Sequence, residues 1–217
     1  WTYLTTDDVA LATIMVTATD GFAQTASDAF TYQAANVAPS ATFNVPSTVA
    51  EGSSFSISLT APTDPSSADA AAGFTYAFNC GSGYGAFGIA TSKTCATNAA
   101  GALAVAGQVK DKNGGVRAYS ASVTVLSSKQ VKAGVRATLA ALQATSSGRT
   151  EDHFQKAIEH LDKSLAAKLW APDGSHLTSK GEEVFKEEKD AVKELEAINS
   201  GPAEAAAAQA ALALVNI

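Results

Sequence analysis

Basic residues are scarce in this 217-residue chain: 15 lysines and arginines stand against 21 aspartates and glutamates, a net charge of −6. No basic stripe exists to neutralise phosphates, which argues against a nucleic-acid partner and against an anionic membrane surface. Long apolar runs are also missing. None approaches the ~18 residues a membrane-spanning helix needs, so no transmembrane segment is expected in this chain. The chain opens on Trp1 with neither an initiator methionine nor a signal peptide, as a mature or excised part of a longer protein would. Charged residues make up only 17%, below the ~25% usual for soluble domains. They are unevenly spread: Lys and Glu crowd together after residue 127, and a Ser/Thr/Ala/Gly-rich stretch precedes them.

Cysteine is limited to Cys80 and Cys95, with fourteen residues between them. Both lie in a β-rich, Thr/Ser/Gly context, which suits a disulfide formed in an oxidising compartment. Nothing with Cys/His metal-ligand spacing lies nearby. The stretch Gly73–Cys95 begins as an alternating strand, with Phe74, Tyr76 and Phe78 on one side, and runs into a glycine-spaced turn, Cys80-Gly81-Ser82-Gly83-Tyr84-Gly85.

What is present in quantity is short alternating strands. Residues 1–35 read as Trp1–Leu4, Leu11–Thr19 and Ala29–Gln33, with a hairpin turn at Asp20-Gly21. Asn36-Val37-Ala38-Pro39 reads as a linker. Residues 40–126 add Ala41–Val45, Ser54–Leu59 (Phe55, Ile57 and Leu59 on one face), a loop over Ala61–Ala72, Leu103–Lys110, a turn at Asp111–Gly115 and Arg117–Val125. Six or seven strands in under ~90 residues indicate a β-sandwich. Thr17–Asp20 aligns with Gln108–Asp111, and Phe30-Thr31-Tyr32 with Val123-Thr124-Val125. Residues 1–35 therefore read as the last strands of one sandwich and 40–126 as a complete copy.

Asn36–Pro39, Glu51-Gly52-Ser53, Asp64-Pro65, the strand Tyr76–Gly83 and the hairpin Asp111–Val125 together resemble bacterial PKD-type immunoglobulin-like repeats. The resemblance covers about 90 residues fully and about 35 more in part. Where that family has aromatic-Asp-Phe-Gly-Asp-Gly, this chain has Phe78-Asn79-Cys80-Gly81-Ser82-Gly83, so both aspartates are replaced. The resemblance implies an extracellular spacer or adhesive module with no catalysis of its own.

Past Ser127 the apolar period changes from two to about 3.6. Ser127 with Gln130 forms a capping box ahead of a helix with Val131, Val135, Leu139 and Leu142 on one face. Ser146-Ser147-Gly148 breaks it. Thr150 is expected to cap a second helix with Phe154, Ala157, Ile158, Leu161, Leu165 and Leu169 inward. Ser179 with Glu182 is expected to cap a third, with Val184, Phe185, Ala191, Val192, Leu195 and Ile198 inward; Gly201-Pro202 ends it, and Ala203–Val215 forms a fourth segment. The expected architecture is thus multidomain β plus α: an immunoglobulin-like antiparallel β-sandwich followed by a small bundle of about four helices over residues 127–217.

Catalytic patterns are absent: no nucleophile elbow, phosphate loop or Ser/His/Asp arrangement occurs. His153 and His160 are seven apart, about 10.5 Å along a helix, too far to share a metal unaided. His176 sits in a loop. The Glu182–Lys193 charges read as an exposed helical face. Calcium is the one cofactor the residues suggest, with Asp20, Asp64, Asp69 and Asp111 as loop carboxylates, although no DxDxDG run supplies a full ligand set.

The expected function is a non-catalytic, secreted or cell-surface structural and adhesive module, a spacer or assembly unit whose partners are neighbouring immunoglobulin-like repeats, other subunits, or a surface polysaccharide or protein. Two alternatives stand beside it. One is an accessory module of a secreted hydrolase that binds carbohydrate or protein; carbohydrate would need a row of aromatics, for which Trp1, Tyr3, Tyr84 and Tyr119 are scattered candidates. The other is a filament subunit assembled by strand complementation through residues 1–35.

Overall fold

A computed structural model describes residues 9–198 and 203–215. The expected strand Trp1–Leu4, the aromatics Trp1 and Tyr3, and the Gly201-Pro202 stop lie outside the described residues. By contacts the chain divides into two compact units. One holds the described residues up to Pro46 with Phe55–Cys95 and Leu103–Val123; the other holds Ser47–Ser54, Ala96–Ala102 and the described residues from Thr124 on.

β1 (Val9–Thr19) and β2 (Thr25–Ala34) pair antiparallel as a sheet of two strands. The sandwich that follows has a three-stranded sheet, ordered β3 (Ser40–Asn44), β5 (Ser54–Thr63), β7 (Ser92–Ala96). Its other sheet is ordered β4 (Thr48–Ala50), β9 (Val116–Leu126), β8 (Gly101–Lys110), β6 (Thr75–Asn79). β6 pairs antiparallel with β8, and β4 parallel with β9. This is an immunoglobulin-like β-sandwich. Alternation sets its core: Phe55, Ile57 and Leu59 are buried on one face of β5. Leu59 meets Tyr76 and Val109 from the opposite sheet, with Phe43, Phe78 and Tyr119 packed against them. Burial pushes the Tyr76 phenol up from its ordinary pKa.

The segment expected as a loop over Ala61–Ala72 is partly ordered. β5 runs on to Thr63 through a register shift against β3, with Ala61 left-handed (φ 48°). A short helix, α1 (Ser67–Ala72), then forms because the Ser66 side chain accepts the Asp69 N–H. The short strands β4 and β7 have too few residues for periodicity to reveal.

In the second unit, α2 (Ser128–Gln143) starts on the expected capping box, present in both directions between Ser127 and Gln130. Ser127→Ala should cost about 1 kcal/mol of helical-unit stability, measured by thermal unfolding at 222 nm. α3 (Arg149–Ser164) starts two residues earlier than expected: Gly148 (φ 62°) takes the cap position, so Thr150 does not cap. α4 (Glu182–Glu196) is likewise preceded by Gly181 with no side-chain cap, so Ser179 with Glu182 is no capping box. A Cβ at Gly181 would crowd Leu177 at 2.5 Å. α5 (Ala203–Val215) follows.

Leu139, Phe154, Ile158, Leu161, Ala191 and Leu195 build one core, closed by Ala207, Ala210, Ala211 and Leu214 of α5. The alanine-rich helix thus packs on its own bundle. Leu169 instead joins Trp170 and Val184 in a smaller cluster. Phe185, expected inward, is 64% exposed, because a neighbour one position from buried Val184 turns ~100° away on a helix. Nor is the acidic–basic face of α4 wholly solvated: Glu188 is buried and pairs with buried Lys132.

Candidate metal centre

Three carboxylates far apart in sequence converge at one end of the first unit: Asp64, Asp69 and Asp111 each offer an oxygen, all within 4.8 Å of one another. Each is placed by a local device. Asp64 follows β5 and accepts the Ser66 N–H at 2.8 Å. Asp69 lies in the first turn of α1, fixed there by the Ser66 cap. Asp111 follows β8 and folds its own turn, its Oδ1 accepting the N–H groups of Asn113 at 2.9 Å and Gly115 at 2.8 Å. A Cβ at Gly115 would fall on the Asp111 carboxylate, so glycine is required for that closeness.

Asp69 and Asp111 are buried and Asp64 is half-buried. Lys112 forms an ion pair with Asp69 Oδ1, leaving three negative charges against one positive. The linker contributes too: Asn36 Nδ2 donates to both Asp111 oxygens, at 3.4 and 3.2 Å. Asn36 Oδ1 and Asp69 Oδ2 are buried and accept no hydrogen bond. Oxygen-only donors with excess negative charge suit a hard cation such as calcium or magnesium rather than zinc. Four of the carboxylate oxygens are engaged, Asp64 Oδ1 and Asp111 Oδ1 by backbone N–H groups, Asp111 Oδ2 by Asn36 and Asp69 Oδ1 by Lys112, so water would complete a six- to eight-oxygen shell.

Of the four calcium candidates, Asp20 stands apart: it is exposed, and its Oδ1 accepts the N–H groups of Phe22 and Gln24, both at 2.9 Å. Nothing in the sequence marks Asn36 as part of this group beyond its place at the start of the Asn36–Pro39 linker. Asn79 accepts Gly81 and Gly83 N–H at 2.8 and 2.9 Å. It holds the glycine turn and takes no part in the acidic group. Cys80 and Cys95 are bonded to each other, with Cα atoms 5.5 Å apart.

No protein-family model matches the chain, and no curated protein matches it. Solved structures do. The chain is similar to carbohydrate-binding modules of the β-sandwich superfamily: 21% identity, 43% of this chain and 36% of that one, TM-score 0.36. It is similar to the fibronectin(III)-like modules of Clostridium thermocellum CbhA: 12% identity, 54% and 64% covered, TM-score 0.36. It is also similar to the PKD1 domain of Vibrio anguillarum Epp: 22% identity, 42% and 95% covered, TM-score 0.31. The chain thus spans about a third and just under two thirds of the first two.

The histidines serve other ends. His153 Nδ1 meets Glu194 Oε2 at 2.8 Å and His160 Nδ1 meets Glu187 Oε2 at 2.7 Å, so both tie α3 to α4. His176 meets the Asp173 carboxylate at 2.7 Å. That hydrogen bond raises the His176 pKa above its ordinary value and lowers that of Asp173. The pair's contribution is lost as pH rises through the His176 pKa and as it falls through that of Asp173. An NMR titration should find the His176 midpoint above the ordinary value and returning to it in Asp173→Asn. Tyr119 is no sugar platform: its ring lies against Phe43 and its Oη accepts the Ala41 N–H at 2.7 Å. Among the described residues no helix is long and apolar enough to cross a membrane.

Proposed function

We propose that this chain is a non-catalytic extracellular structural module of the PKD-type immunoglobulin-like kind, in which a bound calcium ion fixes the linker to the sandwich. The observation that carries this reading is the Asp64–Asp69–Asp111 group with Asn36 beside it. Asn36 belongs to the linker at 36–39, Asp64 and Asp69 to the β5–α1 connection, and Asp111 to the β8–β9 turn. A cation held between them would stiffen the junction between residues 1–35 and the sandwich at 40–126, which suits a spacer in a series of repeats. The Cys80–Cys95 disulfide supports an oxidising, extracellular setting. In the helical unit at 127–217, His153 and His160 are engaged in pairing α3 with α4. A carbohydrate-binding role has less behind it, because among the described residues Tyr84 is exposed without an aromatic row and Tyr119 packs against the sandwich core.

Calcium titration followed by thermal unfolding tests the proposal. Dissociation constants of extracellular calcium modules lie around 10⁻⁴–10⁻³ M. Saturation at ~100 times that constant should stabilise the sandwich by ~2.7 kcal/mol. Chelator should reverse the shift and Asp69→Asn should remove it. An equal melting temperature in calcium and in chelator would overturn the metal site and leave the spacer reading without its main support.

A further inference from the structure

The β1–β2 hairpin repeats the β8–β9 hairpin in detail, but among the described residues no further strand pairs with it. Asp20 N donates to Gln24 O at 2.9 Å, and Asp111 N to Gly115 O at 3.1 Å. In both turns the aspartate Oδ1 accepts the N–H groups two and four residues on. The offset of 91 residues therefore continues through the turn. It places Phe30 at the position of Ala121 and Tyr32 at that of Val123, correcting the offset of 93 that the tripeptides suggest. Ile14, Val16, Phe30 and Tyr32 share one face, since Ile14 lies opposite Phe30 and Ala12 opposite Tyr32. Of their counterparts in the complete sandwich, Val105 and Val123 are at most 1% exposed, Gly107 is buried and Ala121 half-buried, whereas Val16 is 57% and Phe30 54% exposed. The complete sandwich shows what supplies that burial: β6 on the β8 edge, β4 on the β9 edge, and β3 and β5 across the core.

We propose that the β1–β2 face binds an incomplete immunoglobulin-like sandwich that supplies equivalents of β3–β7 and lacks its own last hairpin. Size complementarity narrows this partner. Val16 stands where the complete sandwich has Gly107, and a Cβ at Gly107 already lies 3.0 Å from Phe43 and 3.1 Å from Leu59. The hairpin therefore does not fit the strands of a second copy of this chain by displacing β8–β9. Its partner carries small residues where this chain has Phe43 and Leu59.

The test is hydrogen–deuterium exchange of residues 12–34 in the full chain and in two tandem proteins with residues 40–100 joined ahead of Trp1, one unchanged and one carrying F43A and L59A. Amides of the hairpin should exchange at least roughly 100-fold more slowly in the F43A/L59A tandem than in the other two. Equal exchange in both tandems overturns the proposal, as does protection in the dilute full chain. Protection that grows with concentration alongside a dimer overturns it in favour of a second copy. Two variants of the full chain stand independently of the grafted strands. Val16→Lys should leave the melting temperature unchanged, and a fall means the face is already covered within the chain. Gly107→Val should lower the melting temperature and Phe43→Ala should partly restore it; no restoration overturns the size rule. Calcium plays no part in these readouts, so they stand or fall apart from the metal site.

Discussion

Phe154→Ala should lower the stability of the helical unit by ~3–5 kcal/mol. Phe154 is fully buried at the seam where Leu139 of α2, Ala191 and Leu195 of α4 and the small side chains of α5 meet it. Those neighbours are mostly alanine and leucine, themselves buried in the same cluster. They have little freedom to collapse into the space a benzyl group leaves, which places the cost toward the upper end of the range. A loss of that size is a large fraction of the ~5–15 kcal/mol that holds a domain folded. Urea unfolding followed at 222 nm measures it. Phe185→Ala is the matched control: the same atoms are removed from α4, from a side chain 64% exposed, and the change should stay within about 0.5 kcal/mol. Similar losses from the two variants would show that the described core is not the one that holds the helices.

Removing the disulfide is the second large effect. Replacing both Cys80 and Cys95 by alanine should cost the sandwich ~3 kcal/mol, the chain-entropy value for a closed loop of about 15 residues. The loop it closes holds Tyr84, Phe87 and Ile89, with Ile89 and Tyr84 exposed. Few apolar contacts would therefore compensate for the lost cross-link. Cys95 is 1% exposed on β7, and alanine there leaves a small void in place of an unsatisfied hydroxyl, which is why alanine is preferred to serine. Intrinsic fluorescence in urea, with and without reductant, reads the loss. The variant should be indifferent to reductant, and wild-type protein in reductant should approach the variant. A wild-type midpoint that reductant does not move would mean the bond contributes nothing to the folded state.

Much of the fold is written in periodicity. Phe55, Ile57 and Leu59 alternate, and all three are buried; Phe154, Ala157, Ile158 and Leu161 recur at helical spacing, and all four are buried. Helix caps were less legible. Ser127 caps as its pattern predicts, whereas Thr150 and Ser179 match similar patterns and do not cap, because Gly148 and Gly181 occupy the cap positions. A capping side chain competes with whatever backbone the preceding turn imposes, and sequence spacing does not record that turn. The buried Lys132–Glu188 pair was hidden for a related reason. Each residue sits among other charges on its own helix, and only the meeting of α2 with α4 removes both from water.

The metal centre divides along the same line. The turn chemistry at Asp20 and at Asp111 can be read locally: an aspartate followed by a glycine-containing turn, each accepting backbone N–H groups two and four residues on. Sequence alone therefore makes the two equivalent, and it determined the longer strands, the amphipathic helices, the only available cysteine pair and the repeat that relates the two hairpins. Tertiary structure decided that Asp111 meets Asp64, Asp69 and Asn36 while Asp20 meets none of them. The physical reason is the sheet. β8 and β9 lie in a complete sandwich whose β5–α1 connection comes to the same end and brings two more carboxylates. β1 and β2 form a sheet of two strands, and no such connection reaches their turn among the described residues.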